Sequence, residues 1–236
     1  MIPAGVDTRA AHDLVRTALA RDPDGTWLRP PEVESLCRAA GLPTVPARWV
    51  TTGRDAAAAA ARTGGPVAVK GSVVGVVHKG DAGFLRLPVT DPAEAGRVVD
   101  EWAARAGARW LGALVQPLVP PGDEYLVGAV RDVSAGPVVA FGPGGRAVDA
   151  LGHRVHRLAP LTESDVEELL AGTGMLATAH GRSLDAEGMA DCLRRVGWLA
   201  DAVPEIAEVE INPLVVTPEG CTALDVRVRL QRATRP

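Results

Sequence analysis

Val67-Ala68-Val69-Lys70-Gly71-Ser72-Val73-Val74-Gly75-Val76-Val77-His78-Lys79-Gly80-Asp81-Ala82-Gly83 holds the only two lysines of the 236-residue chain, although Lys and Arg together number 25. Arginine has taken every other basic position. Lysine is a compact, flexible point charge, whereas arginine is a planar fork. A point charge among glycine-flanked stretches suits a phosphate chain cradled by backbone N–H groups. The apolar run Val67 to Lys70 reads as a buried strand, so Lys70 projects from a β-strand and Lys79 from the glycine-rich segment after it.

Outward from this stretch, strands and helices interleave. Helices are expected over 8–20, 32–40 (opened by Pro30 and Pro31, stopped by Gly41), the alanine-rich 55–62, 92–107, 164–171 and 186–203. Strands are expected over 47–51, 84–89, 111–119, 124–131 and 137–141, with Gly142 to Gly145 as a tight loop and Arg21 to Pro31 as a connector. A terminal hairpin spans Ala207 to Val216 and Cys221 to Leu230 around Thr217-Pro218-Glu219-Gly220. The class is α/β (α+β) in two lobes, approximately 27–115 and 116–236, with the break near Val115 to Pro121.

The hairpin carries its own chemistry. Glu210 and Asn212 are two apart on a strand and share a face. If the turn closes with Val216 opposite Cys221, Asn212 falls opposite Asp225. Glu210, Asn212 and Asp225 then form an oxygen-rich cluster inside an apolar ribbon, a donor set for a hard divalent cation. A solvated polar face is the alternative.

Composition narrows the classes. Hydrophobic residues make up 47% of the chain, enough for a sizeable core, while aromatics make up 3%. Aliphatic and alanine packing must therefore carry that core. A net charge of −4 argues against nucleic-acid binding by phosphate neutralisation. Cys37, Cys192 and Cys221 form no C-x-x-C pair, so neither a zinc site nor a disulfide framework is indicated, and a reducing cytoplasm fits. No signal peptide or membrane-spanning run is read.

Four motifs in order then carry a resemblance: Pro-Val-x-x-Lys ending at Lys70, His-Lys-x-Asp-x-Gly at 78–83, Gly-Pro-Val-Val-x-x-Gly-x-Gly-Gly at 136–145, and Glu-Ile-Asn-Pro-Leu at 210–214 followed by Leu-Asp-x-Arg at 224–227. The chain resembles an ATP-grasp domain, specifically the nucleotide-binding β subunit of ADP-forming acyl-CoA synthetases, relatives of succinyl-CoA synthetase. The resemblance covers nearly the whole chain. It implies two lobes with the nucleotide between two sheets. Lys70 is then the strand lysine on the phosphates, and Lys79 to Gly83 the loop over the triphosphate. Gln116 lines the adenine, Glu124 positions the nucleotide, and Arg131 with Gly144 and Gly145 faces the phosphoryl group. Asn212 and Asp225, with Glu210 beside them, are the Mg²⁺ ligands. His78 matches the histidine that carries a phosphoryl group toward a partner.

The implied reaction joins a small carboxylic acid to CoA, splitting ATP to ADP and phosphate through an acyl phosphate and a phosphohistidine. A Rossmann-type glycine fingerprint for CoA is missing from this sequence, so a CoA-binding α-type subunit or domain is expected as partner. Three departures stand out: Phe84 replaces a second glycine, Val73-Val74-Gly75 replaces a Ser-Pro-Asp-like turn, and Asp149 replaces a glutamate. Phe84 is expected to stiffen the loop or narrow the site. Two other readings stay open: a standalone ATP-grasp carboxylate–amine ligase, and a non-catalytic nucleotide-sensing module.

Overall fold

The computed structural model describes residues 2–76, 79–145, 154–173 and 184–232. These fall into two compact units, one formed by 1–44 with 121–236 and the other by 45–120. Each owns one antiparallel sheet and one aliphatic core.

In the smaller unit, β2 (Arg48–Val50), β5 (Trp110–Pro117), β3 (Val67–Val73) and β4 (Leu85–Val89) lie in that order across the sheet. The helices α3 (Gly53–Thr63) and α4 (Pro92–Ala106) cover one face. Both start as their sequences dictate. The Thr52 hydroxyl accepts from the Asp55 N–H, and the Asp91 carboxylate accepts from the Ala93 N–H ahead of a first-turn proline. The helices touch through glycine: a Cβ on Gly96 would lie 2.9 Å from the Gly53 carbonyl oxygen. Val67, Val69, Ala113 and Val115 point at α3 and α4, and this alternation turns Ala68, Lys70, Ser72 and Gln116 to the opposite face.

In the larger unit the order is β1 (Thr26–Trp27), β11 (Val226–Leu230), β9 (Ile206–Thr217), β6 (Asp123–Asp132), β7 (Gly136–Pro143) and β8 (Val155–Leu158), with β10 (Gly220–Ala223) also on β9. The helices α1 (Thr8–Arg21), α2 (Pro30–Ala40), α5 (Glu163–Gly172) and α6 (Ala186–Ala202) bury their apolar stripes in this unit's core. Tyr125, Val127, Ala129, Val139, Phe141, Val209 and Ile211 supply the sheet side of it.

Residues 27–44 differ from the expected lobe assignment. They pack with the larger unit because β1 pairs with β11, Leu28 N–H donates to the Val228 carbonyl at 2.9 Å, and Leu36, Cys37 and Ala40 enter its core. Gly41 ends α2 in the left-handed region (φ 68), and Arg195 on α6 donates to the Ala40 carbonyl at 2.8 Å, capping the helix. Two short strands lie where none was expected: β1 inside the connector, and β8.

The expected hairpin register holds. Cys221 pairs with Val216, and Val226 with Ile211. The returning arm is interrupted at Leu224 and Asp225, giving β10 and β11 rather than one strand.

Cys37 and Cys192 are buried and Cys221 is partly so. Burial pushes the Cys37 thiol up to about 12 and that of Cys192 further still. Burial, with the Asp185 carboxylate beside it, pushes Cys221 up to about 12. None is a thiolate nucleophile at neutral pH. Iodoacetamide at pH 8 is therefore expected to modify the cysteines only as fast as the chain unfolds, with full labelling in denaturant. Rapid labelling of the native chain, read by mass spectrometry, would contradict this. Among the described residues no helix is long and apolar enough to cross a membrane.

Candidate nucleotide and metal site

The smaller unit has a polar track of its own. Lys70 (9% exposed), Ser72 (9%) and Gln116 (3%) are the buried polar or charged side chains of the described residues. All three lie on the same face of one sheet. Lys70 and Ser72 are two apart on β3, and Gln116 on β5 sits directly across from Ala68, two positions before Lys70. An amide, an ammonium and a hydroxyl thus follow one another along an otherwise aliphatic surface. Burying such groups is costly without polar company, and all three are confined to one face of the sheet. Ser72 was not anticipated. Its signal was simply its position, two after Lys70 on the same strand.

Lys79 and Gly83 belong to a turn. The Phe84 N–H donates to the Lys79 carbonyl at 2.7 Å, the Gly83 N–H to the Gly80 carbonyl at 3.0 Å, and Gly83 adopts φ 67. The left-handed conformation explains the glycine. Phe84, expected to stiffen the loop or narrow the site, anchors the turn to the helical core, as the first of these requires. Its ring is buried in the helical core, edge-on to Trp102 with centroids 5.7 Å apart. His78 and Asp149 lie outside the described residues.

The larger unit has an oxygen-rich corner of its own. The Gly144 N–H donates to the Glu124 carbonyl at 2.8 Å, and the Gly145 N–H to Asn212 Oδ1 at 2.9 Å. The Asn212 N–H donates to the Asp225 carbonyl at 3.0 Å. Strands β6, β7, β9 and the β10–β11 break therefore meet here. The corner is built around glycine: a Cβ on Gly145 would lie 1.6 Å from Glu124 Oε2, and one on Gly144 2.3 Å from the Tyr125 carbonyl carbon. The Glu124 side chain occupies the space a side chain at 145 would need.

Glu210 pairs across the ribbon with Arg227, whose guanidinium reaches Asp225 Oδ2 at 3.8 Å. Beyond Asn212 the pairing of β9 with β6 shifts by one between Tyr125 and Val127. Inward positions accordingly change from Val209 and Ile211 to Leu214 and Val216. The shift lets Asn212 end a run of outward positions beside the Gly144–Gly145 turn.

Arg131 is not part of this corner. Tyr125, Val127 and Ala129 face the core, and period-two alternation puts Arg131 on that same helix-bearing side. Its guanidinium donates to the Ala200 carbonyl in the last turn of α6, where a cation suits the helix dipole.

Among the described residues no group of three or more His, Cys, Asp or Glu comes together to hold a metal by itself. The residues that could hold a cation here are Asp225, Asn212, which is joined to it through backbone, and Glu210, two positions before Asn212 on β9. That set fits a hard cation that draws its remaining ligands from phosphates and water, as Mg²⁺ does. Asn212 Oδ1 keeps a second lone pair beyond the one taken by Gly145.

Known proteins resemble this chain over most of its length. The ATP-grasp domain profile matches residues 18–230. The chain is 31% identical over 209 residues to the acetate–CoA ligase (ADP-forming) I β subunit of Pyrococcus furiosus, covering 85% of this chain and 90% of that one. It is 29% identical to the 4-hydroxybutyrate–CoA ligase (ADP-forming) of Nitrosopumilus maritimus, covering 84% of this chain but 30% of that longer protein. The dinucleotide forming acetyl-coenzyme A synthetase 1 of Ca. Korarchaeum cryptofilum, solved with coenzyme A and Ca-AMPCP, superposes with a TM-score of 0.84 at 30% identity, covering 93% of this chain and 99% of that one.

Proposed function

The chain belongs to the ATP-grasp family, in the group of ADP-forming acetate–CoA ligase β subunits, and we propose that it is the ATP-binding subunit of an ADP-forming acyl-CoA synthetase. The observation that carries the reading is the burial of Lys70, Ser72 and Gln116 on one sheet face. Lys70 and Ser72 face the phosphates and Gln116 the base. The near full-length match to a β subunit supports it.

The overall reaction couples a carboxylic acid, CoA and ATP to acyl-CoA, ADP and phosphate. The γ-phosphoryl group passes from ATP to a His78 ring nitrogen, releasing ADP. A carboxylate oxygen then attacks that phosphorus, giving an acyl phosphate and freeing the imidazole. The CoA sulfur attacks the acyl carbon and inorganic phosphate leaves. Phosphoryl transfer asks mainly for positioning and charge stabilisation. Lys70 and Lys79 supply countercharge, Glu124 and the Gly144–Gly145 turn shape the corner, and Asn212, Asp225 and Glu210 would hold Mg²⁺. A Mg²⁺ ion bound there would supply neutralisation and alignment of the triphosphate.

The CoA site belongs to a partner subunit or domain, in keeping with a relative in which this module is less than a third of the chain. Three free cysteines suit a cytoplasmic enzyme. Purified chain is expected to bind Mg–ATP yet form acyl-CoA only when a CoA-binding partner is added. Robust acyl-CoA formation by the chain alone would overturn the partner requirement. Replacing His78 with Ala should abolish the reaction. A carboxylate–amine ligase of the same fold has no use for that imidazole, so retained ADP release in H78A would favour it.

Metal binding gives a separate check. Asp225→Asn and Asn212→Ala are each expected to raise the Mg²⁺ concentration needed for half-maximal ATP binding by about tenfold, the range seen when ligand shells are disturbed. Unchanged Mg²⁺ dependence in both, measured by titration calorimetry, would remove them from the metal site.

A further inference from the structure

Arg105 lies in the last turn of α4, exposed to solvent. No motif draws attention to it. Its guanidinium Nη2 donates to the Gly83 carbonyl at 2.7 Å and to the Ala82 carbonyl at 3.3 Å. Its Cζ also sits 4.1 Å from the centroid of the Phe84 ring, within the range of a cation–π contact. Phe84 is anchored in turn, edge-on to Trp102, while its carbonyl accepts from the Gly71 N–H of β3 at 2.8 Å and its N–H donates to the Lys79 carbonyl at 2.7 Å. One chain of contacts thus runs from α4 through Phe84 to the backbone of Lys79.

We infer that Arg105 is a positioning residue, latching the Lys79–Phe84 turn to α4 so that the Lys79 ammonium is delivered to a fixed place. The guanidinium matters: Nη2 serves both carbonyls while the planar group stays over the ring, and a compact ammonium offers no such plane to stack. The aromatic at 84, where related sequences are expected to have glycine, is what gives the latch its stacking surface. The functional half rests on the reading of Lys79 as a phosphate-facing group. The mechanical half does not.

Two measurements on the full chain test it. In Arg105→Ala, amide exchange over residues 79–84 should quicken about tenfold, from loss of a charge-assisted hydrogen-bond pair and a cation–π contact, while β3 and β5 amides keep their protection. With the CoA-binding partner present, kcat should fall by a similar factor and KM for ATP should stay within about twofold. Arg105→Lys should recover only part of both, and Phe84→Gly should mimic Arg105→Ala in exchange. Unchanged exchange at 79–84 in Arg105→Ala would overturn the latch. Faster exchange with undiminished kcat, or a raised KM with kcat intact, would overturn its role in positioning. A wild type that never turns over with its partner would count against the proposed function, and exchange alone would then decide the latch.

Discussion

Lys70→Met is expected to weaken Mg–ATP binding by about a hundredfold or more, the effect of removing one partner of a buried charge pair. Methionine keeps the length and bulk of the side chain, so packing in β3 should survive. Lys70→Arg is expected to fail nearly as badly. The position is 9% exposed, between a buried amide across the sheet and a buried hydroxyl along the strand. A planar fork needs more room than a single ammonium there. Titration calorimetry with a non-hydrolysable ATP analogue reads the affinity directly. Binding within threefold of wild type in the methionine variant (a change of less than about 0.7 kcal/mol) would remove Lys70 from the phosphate site.

The second large effect separates two adjacent glycines. Gly144→Ala places a Cβ 2.3 Å from backbone carbon and 2.4 Å from backbone oxygen of Tyr125. Strand β6 cannot yield without breaking the Gly144–Glu124 hydrogen bond and the pairing of β6 with β7. The expected loss is about 3 kcal/mol, at the upper end for overpacking, or a fall in Tm of roughly 6–12 °C. Gly145→Ala meets only the end of the Glu124 side chain, at 1.6 Å. A carboxylate can swing away, so the fold loses only about 1 kcal/mol, chiefly for the left-handed backbone. That swing empties the place Glu124 holds beside Gly145, whose N–H binds Asn212. Nucleotide turnover should therefore collapse in Gly145→Ala while stability largely survives, and Gly144→Ala should show the reverse order of severity. Equal thermal shifts in the two variants would contradict this account of the turn.

How legible the protein is in its sequence differs from segment to segment. The hairpin register is legible, because a four-residue turn at 217–220 sets Val216 opposite Cys221 and the rest of the pairing follows. The shift near Asn212 is not, since it depends on how β9 meets β6, a strand about eighty residues earlier in the chain. Lys70 is legible from its strand and its rarity. Ser72 follows from the same alternation but carries no motif. Arg131 shows a resemblance overriding a simpler signal: Tyr125, Val127 and Ala129 already fix the apolar face of β6, and 131 continues it. Phe84 reads as an intruder in a glycine-rich loop until Trp102 and Arg105, about twenty residues later, give it a socket. The two-residue strand β1 has no periodicity to detect, and it is β1, with Leu28, that ties residues 27–44 to the larger unit.

Incubating the chain and its CoA-binding partner with γ-labelled ATP tests the synthetase reading most directly. A label on His78 that is lost in acid, stable in base, absent from His78→Ala and discharged by carboxylate and CoA is the predicted result. No label on wild-type His78 under those conditions, or a label that persists unchanged when His78 is replaced, would contradict it.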